Sequence, residues 1–242
     1  MNPRRRLLVA AAIALAVTLV PFGGYVGLPL LWLATWVHEA GHAAVTLLTG
    51  GGVERLEVFR DGSGRTLSTG ISSTAEAGLI ASAGYVTTSL VAAVLLALGR
   101  LRGAVRPALI VVGAGMLVCA LLVSGDGRVI VALIGAALIA LSFAGEGVRG
   151  TALDVVAVMM GVNAIRAIWV LFGPGGSVNG EPAGGDADAV ARLWFGADWM
   201  WAGLWAAIAL VLLAAGLWLR LRPGRAPAPQ AAQPRDDLGL GL

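Results

Sequence analysis

The stretch Trp36-Val37-His38-Glu39-Ala40-Gly41-His42 lies inside an apolar run of residues 28–48 and has the pattern H-E-x-x-H. On a helix, His38 and His42 are one turn apart and share a face. Two imidazoles at that spacing can bind one zinc ion. Glu39 could then reach a water on that zinc, and a carboxylate in this position is the general base of a metallohydrolase. The stretch therefore predicts a membrane helix that carries a zinc site.

Few other ionisable groups lie near this motif. His38 and His42 are the only 2 histidines of the chain, and Glu39 is the only acidic residue among the first 53. Ionisable groups at membrane depth cost about 2.5–3.5 kcal/mol each on insertion scales, so they are rarely kept without a role. The alternative is a polar helix face that hydrogen-bonds to neighbouring helices. We favour the zinc site.

The composition is that of a polytopic membrane protein. Hydrophobic residues make up 58% of the 242 residues, charged residues make up only 13%, and the mean hydropathy is +0.85. A soluble domain carries about 25% charged residues. All 17 basic residues are arginines, spread over short loops, and the net charge is only +3, so no nucleic-acid partner is expected. The single cysteine, Cys119, excludes an intrachain disulfide.

The N-terminus predicts an uncleaved first transmembrane helix. Arg4, Arg5 and Arg6 precede an apolar run of residues 7–20, and this arrangement resembles a signal peptide. No small-x-small cleavage site follows the run, so we expect the helix to stay in the mature chain. The arginines place the N-terminus in the cytoplasm.

Apolar runs alternate with short polar connections along the rest of the chain. A helix needs about 20 apolar residues to cross a bilayer. This pattern predicts an all-α polytopic fold of about six to seven transmembrane helices, in a single membrane-embedded domain over residues 1–222. The tail, residues 223–242, is rich in Pro, Ala and Gln and is predicted to be disordered. The predicted spans are residues 7–22, 30–49, 77–98, 108–123, 129–144, 153–172 and 199–219.

Residues 53–69 are too polar to span the membrane. Two short β-like runs flank Asp61-Gly62-Ser63-Gly64, and a D-G turn between such runs predicts a small β-hairpin after the zinc-motif helix. Two crossings before the hairpin would place it on the same side of the membrane as the N-terminus. By contrast, residues 173–185 form a Gly/Pro-rich stretch that is predicted to be a loop.

A catalytic zinc usually has three protein ligands and one water, so a third ligand is required. Because the chain has no third histidine, a carboxylate is expected, unless a backbone carbonyl or a second chain contributes. Asp186 and Asp188 follow the flexible glycine-rich stretch, which could fold back into the membrane. The candidate carboxylates are Asp186, Asp188, Asp154, Asp126, Glu146 and Asp198.

Two further segments accompany the H-E-x-x-H motif. Asp61-Gly62-Ser63-Gly64 follows the glycine-rich end of the motif helix, and Ala83-Gly84-Tyr85 lies in the next predicted span. Together, over residues 28–205, these features resemble the site-2-protease-type intramembrane zinc metallopeptidases, and more narrowly their compact bacterial branch that lacks a PDZ domain. The resemblance implies hydrolysis of peptide bonds in membrane proteins, with Zn²⁺ as the cofactor.

The resemblance also assigns roles to individual residues. His38 and His42 match the zinc ligands of the family, and Glu39 matches the general base that activates the zinc-bound water. Asp186 matches the aspartate of the branch's late Ser-Asp-Ala segment, which implies that Asp186 is the third ligand. Asp188 is the alternative for that ligand.

The chain departs from the family pattern at two points. The asparagine and proline that precede Asp-Gly in the wider family are absent, and glycine precedes Asp186 where the branch has serine. Asn163, in the preceding span, is a candidate for orienting the substrate, and the alternative for it is an interhelical hydrogen bond.

The resemblance implies a multi-pass protein of the bacterial cytoplasmic membrane. Its partners would be the lipid bilayer, a membrane-protein substrate and a protein that presents this substrate. Two alternative functions remain open at this point. One is a non-proteolytic zinc-stabilised scaffold or transporter, and the other is a zinc hydrolase that acts on a lipid or small amide.

Overall fold

The structure is a computed structural model that describes residues 2–20, 23–123, 127–171 and 176–222. These residues are mainly helical, and the predicted disordered tail lies outside them. The elements in chain order are α1 (Pro3–Leu19), α2 (Gly23–Leu48), β1 (Gly52–Val58), β2 (Gly64–Thr69), α3 (Thr74–Leu98), α4 (Arg102–Cys119), α5 (Gly127–Ser142), α6 (Glu146–Leu171), β3 (Gly176–Val178), β4 (Glu181–Ala183), α7 (Asp186–Leu193) and α8 (Asp198–Leu221).

Four of the described helices, α3, α4, α6 and α8, are long and apolar enough to cross a membrane. Helices α1 and α2 form a strongly bent pair that passes the same test as a unit, which raises the count to at most 5. Helix α5 is apolar but has only 16 residues, fewer than the about 20 that a full crossing needs. The chain is therefore a helical integral membrane protein, and the higher count of six or seven spans stays a prediction.

Helix α3 lies at the centre of the bundle, where it packs against α2, α6 and α8. Small side chains make this packing close. A Cβ atom on Gly216 of α8 would lie only 2.6 Å from the carbonyl oxygen of Ala93 in α3, so the two backbones can approach only if no side chain stands there. Close approach through small residues is how membrane helices gain packing energy.

A buried ion cluster joins four helices at one end of the bundle. Asp154 of α6 is fully buried, and its Oδ2 atom lies 2.6 Å from Arg220 Nη2 and 3.3 Å from Arg6 Nε. Arg6 also donates a hydrogen bond of 2.5 Å to the carbonyl oxygen of Gly99. Removing one partner of such a cluster would leave an uncompensated buried charge. The cluster therefore fixes the start of α1 and the first half of α6 beside the ends of α3 and α8.

The N-terminus and the hairpin β1–β2 lie at opposite ends of α3. The hairpin ends just before α3 begins, whereas Arg6 contacts the residue that follows the end of α3. The 25 residues of α3 separate these ends by about 37 Å. This placement contradicts the prediction that the hairpin and the N-terminus share one side, which assumed that α1 and α2 each cross the membrane; the two helices form a bent pair that passes the span test as one unit. Arginines of three segments lie together at the end of the bundle that holds the N-terminus. These segments are residues 4–6, 100–102 and 220–222.

The hairpin itself consists of antiparallel strands β1 and β2. Its turn is closed by Asp61, whose Oδ1 atom accepts hydrogen bonds from the backbone N–H of Ser63 at 2.9 Å and from its hydroxyl at 2.6 Å. Gly62 has a φ of 89°, a conformation that glycine adopts without steric cost. The D-G signal in the sequence therefore corresponds to a tight turn.

A second hairpin, β3–β4, lies within the stretch that was predicted to be a loop. Asn179 and Gly180 have φ angles of 53° and 81°, as two-residue hairpin turns of the Asn-Gly type require. The backbone N–H of Asn179 donates a hydrogen bond of 3.0 Å to Ser63 Oγ, so the second hairpin contacts the turn of the first. The loop prediction is wrong here, because the Asn-Gly signal joins strands of only 3 residues each.

Candidate metal centre

Helix α2 places the two histidines side by side. His38 and His42 are four residues apart, and their Nε2 atoms lie 3.0 Å from each other. Side chains four residues apart on a helix point along the same face. The spacing in the sequence therefore produces a pair of imidazole nitrogens directed at one point.

The orientation of His42 is set by the neighbouring helix. Its Nδ1 atom lies 2.6 Å from the carbonyl oxygen of Ile80 in α3, which can only accept a hydrogen bond. Nδ1 therefore carries the proton, and the lone pair is left on Nε2. Metal-binding histidines are commonly oriented in this way by a backbone carbonyl.

Asp186 completes a cluster of three potential ligands. It is the first residue of α7, and its Oδ2 atom lies 3.1 Å from His38 Nε2 and 3.4 Å from His42 Nε2. Asp188, the alternative, forms an ion pair with Arg192 one turn along the same short helix. The geometry therefore brings Asp186, and not Asp188, to the two histidines.

The surroundings of Asp186 favour its charged form. Burial alone would raise the pKa of this carboxyl, but the charge of His42 and the hydrogen bonds to His38 and His42 outweigh burial and hold the pKa below its usual range. Asp186 is therefore ionised at neutral pH. Metal ligands must be deprotonated to bind, so Asp186 is ready to supply an anionic donor, and the histidines would bind a metal as neutral imidazoles.

The spacing of the three donor atoms comes within about 0.3 Å of the spacing that a small tetrahedral ion requires. Zinc bonds of about 2.0–2.2 Å place neighbouring ligand atoms of a tetrahedron roughly 3.3–3.6 Å apart. The distances between the donor atoms of His38, His42 and Asp186 are 3.0, 3.1 and 3.4 Å. Two histidines and one carboxylate are also a donor set found at catalytic zinc sites.

Gly84 of α3 keeps this position open. A Cβ atom on Gly84 would lie 2.5 Å from His38 Nε2 and 2.6 Å from His42 Nε2. A methyl group there would therefore occupy the space between the donor atoms. The glycine of the Ala83-Gly84-Tyr85 segment thus has a steric reason to lack a side chain.

Glu39 lies beside the cluster and is held from the hairpin side. Its side chain is only 5% exposed, and its Oε2 atom accepts a hydrogen bond of 2.8 Å from the Thr66 hydroxyl of β2. Glu39, His38, His42 and Asp186 line one cavity of about 1240 Å³. Residues of α1, α2, β2, α3, α6, the second hairpin and α7 form its walls.

A comparison with protein families matches residues 8–216 to the model of the Peptidase M50B-like family. The chain belongs to the Peptidase M50B-like family. This membership confirms the resemblance to site-2-protease-like proteins, and it makes the chain a metallopeptidase of the membrane at the general level. No curated protein and no solved structure matches the chain.

In this M50B-like chain, the remaining candidate carboxylates that the structure describes lie away from the cluster. Asp154 belongs to the buried ion cluster, and Glu146 pairs with Arg102 at 3.1 Å. Asp198 accepts a hydrogen bond of 2.7 Å from the backbone N–H of the next residue at the start of α8. Asp126 lies outside the described residues. Among the carboxylates that the structure describes, Asp186 alone joins both histidines.

Asn163 lies at a position that is compatible with both roles considered for it. It lines the cavity, and its Nδ2 atom donates a long hydrogen bond of 3.4 Å to the carbonyl oxygen of Leu30 in α2. The interhelical bond is therefore present in this M50B-like protein. Its role toward a substrate stays a prediction.

Gly84→Ala is expected to prevent metal binding. The added methyl group would stand between the histidine nitrogens, and metal affinity should fall by at least about 100-fold, because even changes outside the ligand shell cost about 10–100-fold. The zinc content of the purified chain measures this effect. Gly203→Ala is the matched control, because a Cβ on Gly203 of α8 meets no atom within 4 Å. A Gly84→Ala chain that binds zinc like the control would show that the ion does not lie between these donors.

Proposed function

We propose that this chain is an intramembrane zinc metalloprotease that hydrolyses peptide bonds of membrane-protein substrates. The observation that carries the proposal is the convergence of His38, His42 and Asp186 beside Glu39, inside a cavity of a membrane-embedded member of a peptidase family. The proposal includes a single domain over residues 1–222 in the bacterial cytoplasmic membrane. A partner protein that presents the substrate belongs to the same proposal.

In this mechanism, His38, His42 and Asp186 would hold the metal. A zinc ion bound there would polarise the scissile carbonyl group and lower the pKa of a water to about 7. The proton transfers of the reaction would be made by Glu39, whose carboxylate lies in the same cavity.

Glu39 would act as general base and then as general acid. Its carboxylate takes a proton from the attacking water while the water oxygen bonds to the carbonyl carbon. When the carbon–nitrogen bond breaks, Glu39 gives this proton to the leaving nitrogen. The carboxylate is thereby restored, and one water is consumed for each peptide bond.

The strand β2 offers a place for an unwound substrate. A helical substrate hides its backbone groups in hydrogen bonds, so it must become extended before attack. The outer edge of β1 is partly taken by a parallel bridge between Leu56 and Val123. Residues of β2 line the cavity beside Glu39. An extended segment added to the β2 edge would bring its peptide groups next to the base.

The test uses the full chain in proteoliposomes with a tagged single-span membrane protein as the substrate. We expect cleavage within or beside the span, incorporation of one ¹⁸O atom from labelled water into the new carboxyl terminus, and loss of cleavage after chelation with recovery on adding zinc. A chain that contains one zinc but cleaves none of a panel of single-span proteins would favour the scaffold function. Release of ¹⁸O-labelled lipid acids instead of peptides would favour the lipid hydrolase.

A further inference from the structure

Alternate residues of β2 face helix α2. Ser68 Oγ lies 2.7 Å from Thr46 Oγ1. Thr66, which is two residues before Ser68 on the strand, contacts Glu39. A period of two places such residues on one face of a strand. Strand β2 therefore contacts the motif helix through two side-chain hydroxyls, and only that of Thr66 reaches Glu39 beside the metal centre. The turn of the hairpin is held separately, by hydrogen bonds from Trp32 and Thr35 of α2 to the carbonyl oxygens of Phe59 and Gly62.

The Thr66 hydroxyl contacts both the side chain and the backbone of Glu39. Thr66 Oγ1 lies 2.8 Å from Glu39 Oε2 and 3.0 Å from the backbone oxygen of Glu39. A threonine hydroxyl has one proton to donate, and both of these oxygens are acceptors. Hydrogen bonds to charged acceptors are the stronger ones, so the carboxylate is the favoured partner.

The backbone of β2 also confines the Glu39 side chain. A Cβ atom on Gly64 would lie 2.7 Å from Glu39 Cγ and 2.8 Å from Oε1. Strand β2 can therefore come this close to the carboxylate only because Gly64 has no side chain. Helix α2 supplies Glu39, but the hairpin limits the directions in which its carboxylate can point.

We propose that Thr66 is a positioning residue for Glu39. Its hydroxyl fixes Oε2, and this leaves Oε1 as the oxygen that is free of Thr66 and available to the attacking water. The inference rests on the proposed function, because it assigns Glu39 the role of base. It adds that the strand offered to the substrate also orients the base, so that substrate seating and proton transfer depend on the same strand.

The experiment compares Thr66→Val, which keeps the shape but lacks the hydroxyl, with Thr66→Ser, which keeps the hydroxyl. We expect Thr66→Val to lower kcat by about 10-fold or more, since a hydrogen bond to a charged group is lost, while KM and zinc content stay at wild-type values. Thr66→Ser should recover most of kcat. Ser68→Ala removes the other hydroxyl contact between β2 and α2, which does not involve Glu39, and it is the reference for losing one β2–α2 hydrogen bond.

Three results would overturn this assignment. The first is a Thr66→Val chain with the wild-type kcat. The second is an equal loss of kcat in Thr66→Val and Ser68→Ala, which would make hairpin attachment the cause. The third is a Thr66→Val chain that loses zinc or unfolds at a lower temperature in detergent, which would assign Thr66 to stability. Wild-type cleavage is measured first, so failure of the proposed function would be seen in the wild type, and failure of this inference only in the variants.

Discussion

Glu39→Gln is expected to keep its zinc and to lose peptide-bond cleavage. The amide has nearly the size of the carboxylate and can still accept a hydrogen bond from the Thr66 hydroxyl, so the side chain should stay in its place. It cannot take a proton from the attacking water. General bases contribute about 10²–10⁴-fold to rates, and we expect kcat to fall by at least about 100-fold. Zinc content and cleavage rate, measured on the same preparation, check this result.

The matched control is Glu54→Gln on β1. Glu54 is 55% exposed at the side chain, and its ion-pair partner is Arg55 at 3.7 Å. This substitution makes the same chemical change outside the cavity, and surface pairs of this kind contribute little to stability. Cleavage by Glu39→Gln within a few-fold of this control would exclude Glu39 as the base.

The local part of the site could be predicted from the sequence because it depends on one helix. His38, Glu39 and His42 lie within five residues, and a helix fixes how their side chains are related. The Asp61–Gly64 turn is equally local, since a D-G pair between β-like runs specifies a tight turn. The family match confirms the resemblance that these segments carry. The functional roles of the residues stay proposals.

Contacts between segments that are distant in the sequence were harder to predict from it. Asp186 lies 148 positions from His38, and only the family resemblance separated it from Asp188. Thr66 carries no motif, and its bond to Glu39 depends on how the hairpin folds against α2. Asp154 was one of the candidate ligands, yet its partners are Arg6 and Arg220, which are far from it along the chain. Such pairs depend on how the helices pack against each other, and the periodicity of a single segment does not predict that packing.

The membrane arrangement shows the same limit. Apolar runs predicted the helices well, but hydropathy does not reveal the angle between two consecutive helices. Three residues separate α1 from α2, and the bent pair changes which end of the bundle the hairpin occupies.

Asp186→Ala is expected to abolish stoichiometric zinc binding, and cleavage with it. The substitution removes the anionic donor whose oxygen lies 3.1 and 3.4 Å from the two histidine nitrogens. Only two neutral donors would remain, fewer than the three protein ligands that a catalytic zinc usually has. We expect metal affinity to fall by at least about 100-fold. Zinc content of the detergent-purified chain, prepared without chelators, measures the loss.

Asp188→Ala separates the loss of a ligand from the loss of a helix. Both aspartates lie in the first turn of α7, so both can interact favourably with its N-terminus. Asp188, however, is directed to Arg192 and not to the histidines. Asp188→Ala should therefore keep about one zinc per chain, as expected for a single site with three ligands. Equal zinc loss in both variants would mean that the folding of α7, rather than the Asp186 carboxylate, controls the site. Full zinc content in Asp186→Ala would remove Asp186 from the ligand set.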